Sequence, residues 1–368
     1  MTLAWSNDSI NTAPAQIVPP RYQELDALRG IAAIIVMLFH YNMERTDANH
    51  VFRLGVTGVD LFFIISGFVI FMTISKVSSP LEFFINRFSR LYPTYWTCVT
   101  FTFLVQVTMA LIFSHFAQIS WWKYLTNMTM FQYYFRQQNL DGSYWTMIIE
   151  MLFYFFIAFL FKVRKLNYII PVGLVILFTS IVNDVLISGY FPLADKINGA
   201  FPLYTHFPLF FAGIIFYKLM HAGNGFNEKL FYYFCLCICF AVKLLQFYKG
   251  GRSQFYIDFN EYAVVLSCYF IVFILFVHHK LGFIINRQTL FLGKISFALY
   301  LIHQYISIRV IMPNLIEYAH FGFWTSALVA CSISMLLATA ITYYIEVPLG
   351  KKMKYSLRSR LGLQNTMA

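Results

Sequence analysis

Arg29 and His40 are the two residues whose types and spacing most directly suggest chemistry. Both belong to one apolar run, Arg29-Gly-Ile-Ala-Ala-Ile-Ile-Val-Met-Leu-Phe-His40. On an α-helix they would lie about three turns and roughly 16 Å apart, on nearly the same face. A cation and a titratable base are costly in an apolar helix, so a functional role for both is the first hypothesis.

Two further arginines suggest an anion-binding site beside Arg29. Arg87 and Arg90 lie three residues apart in the polar segment 82–93, so on one helical turn both guanidinium groups can face the same ligand. Guanidinium groups bind phosphate in bidentate fashion. The alternative is that both arginines are charges flanking a membrane span, but Arg29, at the start of a span, favours the binding site. Glu346 could pair with one of the arginines or simply close the last span before a proline.

A second group of ionisable residues is predicted at a different depth. A single histidine in an apolar helix is more often structural than functional. Two histidines and two carboxylates at similar depth in four segments reverse that expectation. A histidine beside a carboxylate is the smallest arrangement for general base catalysis, because the acid fixes the tautomer and stabilises the imidazolium. The four residues are His40, Asp60, Glu150 and His303.

The composition indicates that membrane-spanning helices position these residues. Of 368 residues, 59% are hydrophobic, 20% aromatic and only 12% charged, whereas soluble proteins average about 25% charged residues. We therefore predict an all-α, polytopic membrane protein. The net charge of +11 does not indicate nucleic-acid binding, because basic residues flank the spans rather than cluster on a soluble module. About ten transmembrane helices are predicted, near 26–43, 57–75, 92–114, 144–163, 168–187, 202–219, 229–247, 260–279, 291–312 and 323–346.

The distribution of basic residues predicts the orientation. About two thirds of the 27 lysines and arginines fall on the side of the N-terminus, so both termini are predicted to be cytoplasmic. Arg29 would then lie at the cytoplasmic mouth and His40 towards the outer face. We predict a flexible N-terminal tail (1–20), one transmembrane domain (21–350) and a basic cytoplasmic tail (351–368). The six cysteines lie in apolar runs without metal-ligand spacing, so no metal site is expected.

Taken together, these motifs resemble those of the membrane-bound acyltransferase-3 family of bacteria, whose members acylate sugars and similar acceptors. The resemblance extends over nearly the whole chain. One departure is Trp145-Thr-Met-Ile-Ile-Glu150, which in the family often reads Trp-Ser-Leu-x-x-Glu. The matching motifs are Leu25-Asp-Ala-Leu-Arg29-Gly-Ile-Ala-Ala33 with His40, Gly58-Val-Asp60 through Ser66-Gly-Phe68, Arg87-Phe-Ser-Arg90-Leu-Tyr-Pro93, Tyr144-Trp145 with Glu150 and Tyr154, and Gly293-Lys-Ile-Ser296 through Tyr300-Leu-Ile-His303.

The resemblance implies an integral-membrane O-acyltransferase of the bacterial inner membrane. An acyl group, expected to be acetyl from acetyl-CoA, would pass from the cytoplasm to a hydroxyl of a glycan or glycolipid acceptor at the outer side. Arg29, Arg87 and Arg90 would hold the nucleotide phosphates of the acyl-CoA. The distance from Arg29 to His40 is comparable to the reach of an extended pantetheine arm. Apart from membrane lipid, no other partner is implied, and the oligomeric state is not predicted.

Two mechanisms are compatible with these residues. In the first, His40, oriented by Glu150 or Asp60, acts as a base on the acceptor hydroxyl, and Tyr144 or Trp145 positions the acceptor or donates to the oxyanion. In the second, His40 itself carries the acyl group.

Two rival functions use similar residues. A secondary transporter could use the buried histidines and carboxylates as a proton relay, but the sequence has no inverted pair of broken helices. A glycan polymerase or ligase would be expected to carry a large outer loop, and the predicted outer connections are short.

Overall fold

The computed structural model describes residues 22–43, 51–112, 120–184 and 199–363. Within these ranges all regular structure is helical, which confirms the all-α prediction. Short 3₁₀ turns join several helices, and π-helical segments include Ile306–Ile311 and Thr342–Glu346. The α-helices are α1 (Gln23–Asn42), α2 (Gly58–Ile74), α3 (Pro80–Ile112), α4 (Trp121–Met128), α5 (Trp145–Lys162), α6 (Ile169–Val182), α7 (Phe207–Met220), α8 (Phe226–Lys249), α9 (Phe259–Val277), α10 (Arg287–Tyr305), α11 (Met312–Glu317), α12 (Phe323–Ile341) and α13 (Val347–Arg360).

The lengths and composition of these helices agree with a polytopic membrane protein. Helices fall on all ten predicted segments. Among the described residues, seven helices are long and apolar enough to cross a membrane, and α6 and α7 belong to shorter apolar helices. The count of ten spans and the cytoplasmic termini stay predictions, and the predicted tail at 1–20 lies outside the described residues. The seven helices are Arg53–Ile74, Pro80–Ile112, Gly142–Lys162, Phe226–Lys249, Phe259–Val277, Arg287–Glu317 and Phe323–Arg360.

Helix α3 begins earlier than the sequence pattern indicated. The predicted span was 92–114, with a polar link before it, whereas the helix starts at Pro80 and continues through Pro93. A proline inside a helix removes one backbone hydrogen bond but does not end this one. Arg87 and Arg90 therefore lie on a rigid helix, which fixes the direction of both side chains.

The chain also stays helical beyond the last predicted span. After 323–346 it continues into α13, so the predicted basic tail at 351–368 begins inside a helix. This helix packs on α3, where the buried Arg358 guanidinium donates to Glu82 Oε1 at 2.7 Å. The cytoplasmic location of this helix stays a prediction.

Helices α1 and α10 run parallel and in register, and this pairing positions the site. At one end a Cβ on Gly30 would lie 2.6 Å from the Gly293 backbone nitrogen, and a Cβ on Gly293 would lie 2.1 Å from the Asp26 carbonyl oxygen. Ten residues further along both helices, His40 and His303 are in hydrogen-bond contact. If the ten predicted spans alternate in direction, the first and ninth would run in the same direction, as these two helices do.

Candidate active site

A cavity of about 800 Å³, including its part open to solvent, lies between α1, α2, α3, α5 and α10. Arg29, Arg87 and Arg90 all line it, as do Glu150 and Tyr300. We call this the arginine cavity.

The three arginines keep donor groups available to a ligand. Arg87 is only 6% exposed, and its guanidinium carbon lies 5.6 Å from the centre of the Phe83 ring and 5.8 Å from that of Tyr154. Its buried Nε has no hydrogen-bond partner among the described residues. Arg90 is exposed. Unpartnered donors beside an open cavity are suited to an anion with several acceptor oxygens.

Acidic residues partly balance the arginines. Asp26 lies 3.7 Å from Arg29, and the charge of Glu346 acts on both Arg90 and Arg29. Arg29 and Arg90 are close enough to repel each other. The acids reduce this repulsion without filling the cavity, so an anionic ligand would reduce it further.

The structure places Glu150 in the arginine cavity. Its Oε1 accepts hydrogen bonds from Ser66 Oγ at 2.9 Å and from the Tyr154 hydroxyl. Its charge acts on Arg29 and Arg87. The sequence predicts Glu150 beside the imidazole of His40, whereas no hydrogen bond joins these two side chains in the described part of the chain.

His40 instead contacts His303, 2.9 Å away from Nδ1 to Nε2. Nδ1 of His303 lies 2.9 Å from the Tyr300 carbonyl oxygen and 3.1 Å from that of Leu299. Because carbonyls only accept hydrogen bonds, this nitrogen carries a proton, and Nε2 of the neutral His303 ring is an acceptor. Nδ1 of His40 is therefore the donor, which leaves the lone pair of His40 on Nε2. His303 is fully buried, whereas His40 is partly exposed.

Asp141 is a buried acid that the sequence analysis missed. Its carboxylate accepts hydrogen bonds from Ser143 N at 2.9 Å, Ser143 Oγ at 2.7 Å and Tyr305 N at 2.8 Å. Burial raises the pKa of the Asp141 carboxyl, while these donors and the charge of His303 act in the opposite direction. Asp141 is followed by glycine and serine, a pattern that reads as an ordinary turn before a span. The signal that could have identified it is an acid at the start of an apolar helix.

Asp60 belongs to a separate buried cluster. Its Oδ2 accepts a hydrogen bond of 2.7 Å from the Tyr262 hydroxyl, and the charge of Lys243 acts on it. Lys243 in turn donates to the Thr205 carbonyl oxygen at 3.1 Å. Asp60 and His40 are thus not in hydrogen-bond contact. Within the described ranges no group of three or more His, Cys, Asp or Glu residues could hold a metal ion.

Tyr144 and Trp145 have different surroundings. Tyr144 is fully buried, and its hydroxyl lies 3.3 Å from Thr102 Oγ1. Trp145 is partly exposed and packs on His206, with ring centres 5.5 Å apart. Trp145 is therefore the more accessible of the two to an acceptor.

Tyr300 is a further residue that the sequence analysis did not place in the site. It lines the arginine cavity, one turn before His303 on α10. Its hydroxyl donates to the Ser143 carbonyl oxygen at 3.2 Å and lies 3.0 Å from Thr146 Oγ1, and its ring centre is 5.9 Å from that of His303. Tyr300 thus lies between the arginine cavity and the two histidines. Its spacing of three residues from His303 was the available signal.

The amino-acid sequence of this chain is similar to those of known acyltransferases. The model of a family described as an acyltransferase domain matches residues 22–343. The viral protein named "Putative acetyltransferase ORF330", from Acidianus two-tailed virus, is 24% identical over 338 residues, covering 88% of this chain and 89% of the relative. O-acetyltransferase OatA of Staphylococcus aureus is 25% identical over 368 residues, covering 90% of this chain but only 58% of OatA. The exopolysaccharide production protein ExoZ of Rhizobium meliloti is 44% identical over 61 residues, which are 16% of this chain and 18% of ExoZ. No solved structure gives a significant match.

Proposed function

This chain belongs to the membrane-bound acyltransferase-3 family, and from that premise we propose that it moves an acetyl group from acetyl-CoA on the cytoplasmic face to a hydroxyl of a saccharide or glycolipid on the outer face. The match to O-acetyltransferases supports O-acetyl transfer as the reaction type. Because these relatives are named as acetyltransferases, they favour this function over the transporter alternative.

One observation carries the proposal. The parallel pair α1 and α10 has the arginine cavity at one end and the contact between His40 and His303 at the other. Arg29 and His40 are about 16 Å apart along α1, a distance that an extended pantetheine arm could cover. The exposed Arg90 and the unpartnered Nε of Arg87 suit the phosphates of the donor.

The protonation pattern of the histidines suits either mechanism. The free lone pair on Nε2 of His40 can take the proton of an acceptor hydroxyl as the oxygen attacks the thioester carbonyl, after which the carbon–sulfur bond breaks and the thiolate leaves. The same lone pair could attack the thioester directly and carry the acetyl group. In both mechanisms Trp145, beside His206, would position the acceptor. Trapping labelled acetyl on the protein separates the two.

The test is a His40→Ala variant in membranes supplied with labelled acetyl-CoA. We expect acetyl transfer to fall by about 10² to 10⁴-fold, while acetyl-CoA binding stays within about twofold of wild type, because the variant leaves the arginine cavity unchanged. Mass spectrometry of surface glycans with and without the gene would identify the acceptor by an acetyl-sized difference. Retained transfer by His40→Ala protein would contradict both mechanisms.

A further inference from the structure

Two buried groups, His303 and Asp141, continue inward from His40. The ring of His40 donates to His303. Asp141 accepts a hydrogen bond of 2.8 Å from the backbone nitrogen of Tyr305, two residues after His303 on α10, and its charge acts on His303. Asp141 and His303 are both fully buried, whereas His40 is partly exposed. This order, from an accessible imidazole to a buried imidazole to a buried carboxylate, has the form of a proton relay.

Resting on the proposed function, we infer that His303 receives the proton that leaves Nδ1 of His40, and that Asp141 is the positioning residue that holds the resulting imidazolium. As the acceptor hydroxyl gives its proton to Nε2 of His40, the proton on Nδ1 of His40 moves to Nε2 of His303. His40 stays neutral, and the positive charge is on His303. When the thiolate leaves, the protons return by the same route and coenzyme A departs as the thiol.

The hydrogen bonds of His303 leave only one of its nitrogens able to accept the proton from His40. Its Nδ1 proton is held by the Tyr300 and Leu299 carbonyls, so Nε2 alone can accept a proton. A charged imidazole that is fully buried is costly unless an opposite charge lies nearby. Asp141 supplies that charge without itself taking a proton, as the aspartate of a Ser-His-Asp triad does.

The hydrogen bonds of Asp141 fit a fixed carboxylate. All three of its hydrogen-bonding partners are donors, two from Ser143 and one from the Tyr305 backbone. The Tyr305 donor lies where α10 changes to π-helical geometry at Ile306–Ile311, and such π segments often occur at functional sites. Asp141 is not among the residues lining the arginine cavity. Its effect should therefore be on the chemical step and not on donor binding.

The experiment compares Asp141→Asn with a structural control in the same loop. Gln106→Leu removes a hydrogen bond of 2.8 Å from Gln106 Nε2 to the carbonyl oxygen of Leu140, the residue before Asp141, without altering any charge. For Asp141→Asn we expect kcat to fall by about 10²-fold with the KM for acetyl-CoA unchanged within about twofold. For Gln106→Leu we expect a lower Tm but a kcat within about threefold of wild type.

Combination with His303→Gln shows whether Asp141 acts through His303. If it does, Asp141→Asn causes no further loss of kcat in the His303→Gln background, whereas the small effect of Gln106→Leu persists there. A double-mutant cycle on thermal unfolding uses the same Asp141→Asn and His303→Gln variants. It measures the interaction of Asp141 and His303 without depending on activity, which is low in these variants.

The outcomes separate this inference from the proposed function. Unchanged kcat in Asp141→Asn, or a loss that is just as large in the His303→Gln background, overturns the relay while His40→Ala remains inactive. Full transfer by His40→Ala overturns the proposed function itself.

Discussion

The two ends of the α1 and α10 pair differ in how they hold their polar groups. The arginine cavity is wide, partly open to solvent and lined by cations with unpartnered donors. At the other end His40 and His303 form a narrow contact, and each nitrogen of His303 has a hydrogen-bond partner. The first arrangement suits a large anion held by charge. The second suits a proton whose position must be fixed.

The same helix pair supports both ends, but different neighbouring helices complete them. Arg87 and Arg90 come from α3, whereas Asp141 precedes α5 and reaches the backbone of Tyr305. Substitutions at one end should therefore change donor binding, and substitutions at the other should change the chemical step. Only a change in the pairing of α1 and α10 should affect both.

The largest effect is expected from Gly293→Ala. The added methyl group would lie 2.1 Å from the Asp26 carbonyl oxygen, so the two backbones must separate, which typically costs about 1–3 kcal/mol or more. We expect a lower Tm together with loss of both acetyl-CoA binding and transfer. The matched control is Gly282→Ala, where an added Cβ meets nothing within 4 Å. If Gly293→Ala lost acetyl-CoA binding but kept transfer, or the reverse, the pairing of α1 and α10 would not be what positions both ends of the site.

A smaller effect, confined to one end, is expected from Arg87→Ala. Loss of a charge-assisted hydrogen bond to a phosphate costs about 1.5–3 kcal/mol, so acetyl-CoA should bind about 10 to 100-fold more weakly. The measurement is direct binding to purified protein. Arg287→Ala, an exposed arginine at the start of α10, is the control and should bind as wild type does. If Arg87→Ala and wild type bind acetyl-CoA equally well, the phosphates of acetyl-CoA do not bind in the arginine cavity.

The sequence was informative about the arginines and less so about the acids. Arg29, Arg87 and Arg90 could be grouped from their spacing and the predicted span boundaries, although Arg87 and Arg90 lie inside α3 and not at its start. His303 could be matched to His40 in depth, which the parallel register of α1 and α10 supports. Glu150 and Asp60 could be assigned a depth but not a helix face. Tertiary packing directs Glu150 to Ser66 and Asp60 to Tyr262.

Asp141 shows a different limit of sequence analysis. Its partners are two groups of Ser143, close in the chain, and the backbone of the distant Tyr305. The second contact lies beside the change in helix geometry after Tyr305, which hydrophobic periodicity does not reveal. A buried acid in a turn therefore resembles a surface acid until the neighbouring helix is known.

The smallest effect is expected from Glu150→Gln. This variant tests whether Glu150 acts on the arginine cavity or on the contact between His40 and His303. Glutamine can still accept from Ser66 and the Tyr154 hydroxyl, but it removes a negative charge that acts on Arg29 and Arg87. At an effective dielectric constant near 20, one unit charge several ångströms away changes anion binding by about 1 kcal/mol after screening. Acetyl-CoA should therefore bind about threefold to tenfold more tightly, with kcat changed by less than about threefold.

Direct binding and steady-state rates on the same Glu150→Gln preparation decide the matter. Glu346→Gln is the matched comparison, because Glu346 also acts on Arg29 and Arg90, and it should shift binding in the same direction. If instead Glu150→Gln lowers kcat by about 10²-fold with donor binding unchanged, Glu150 serves the histidines. The arginine cavity would then contribute to the chemical step as well as to donor binding, with the Glu150 carboxylate acting on the histidines across Tyr300.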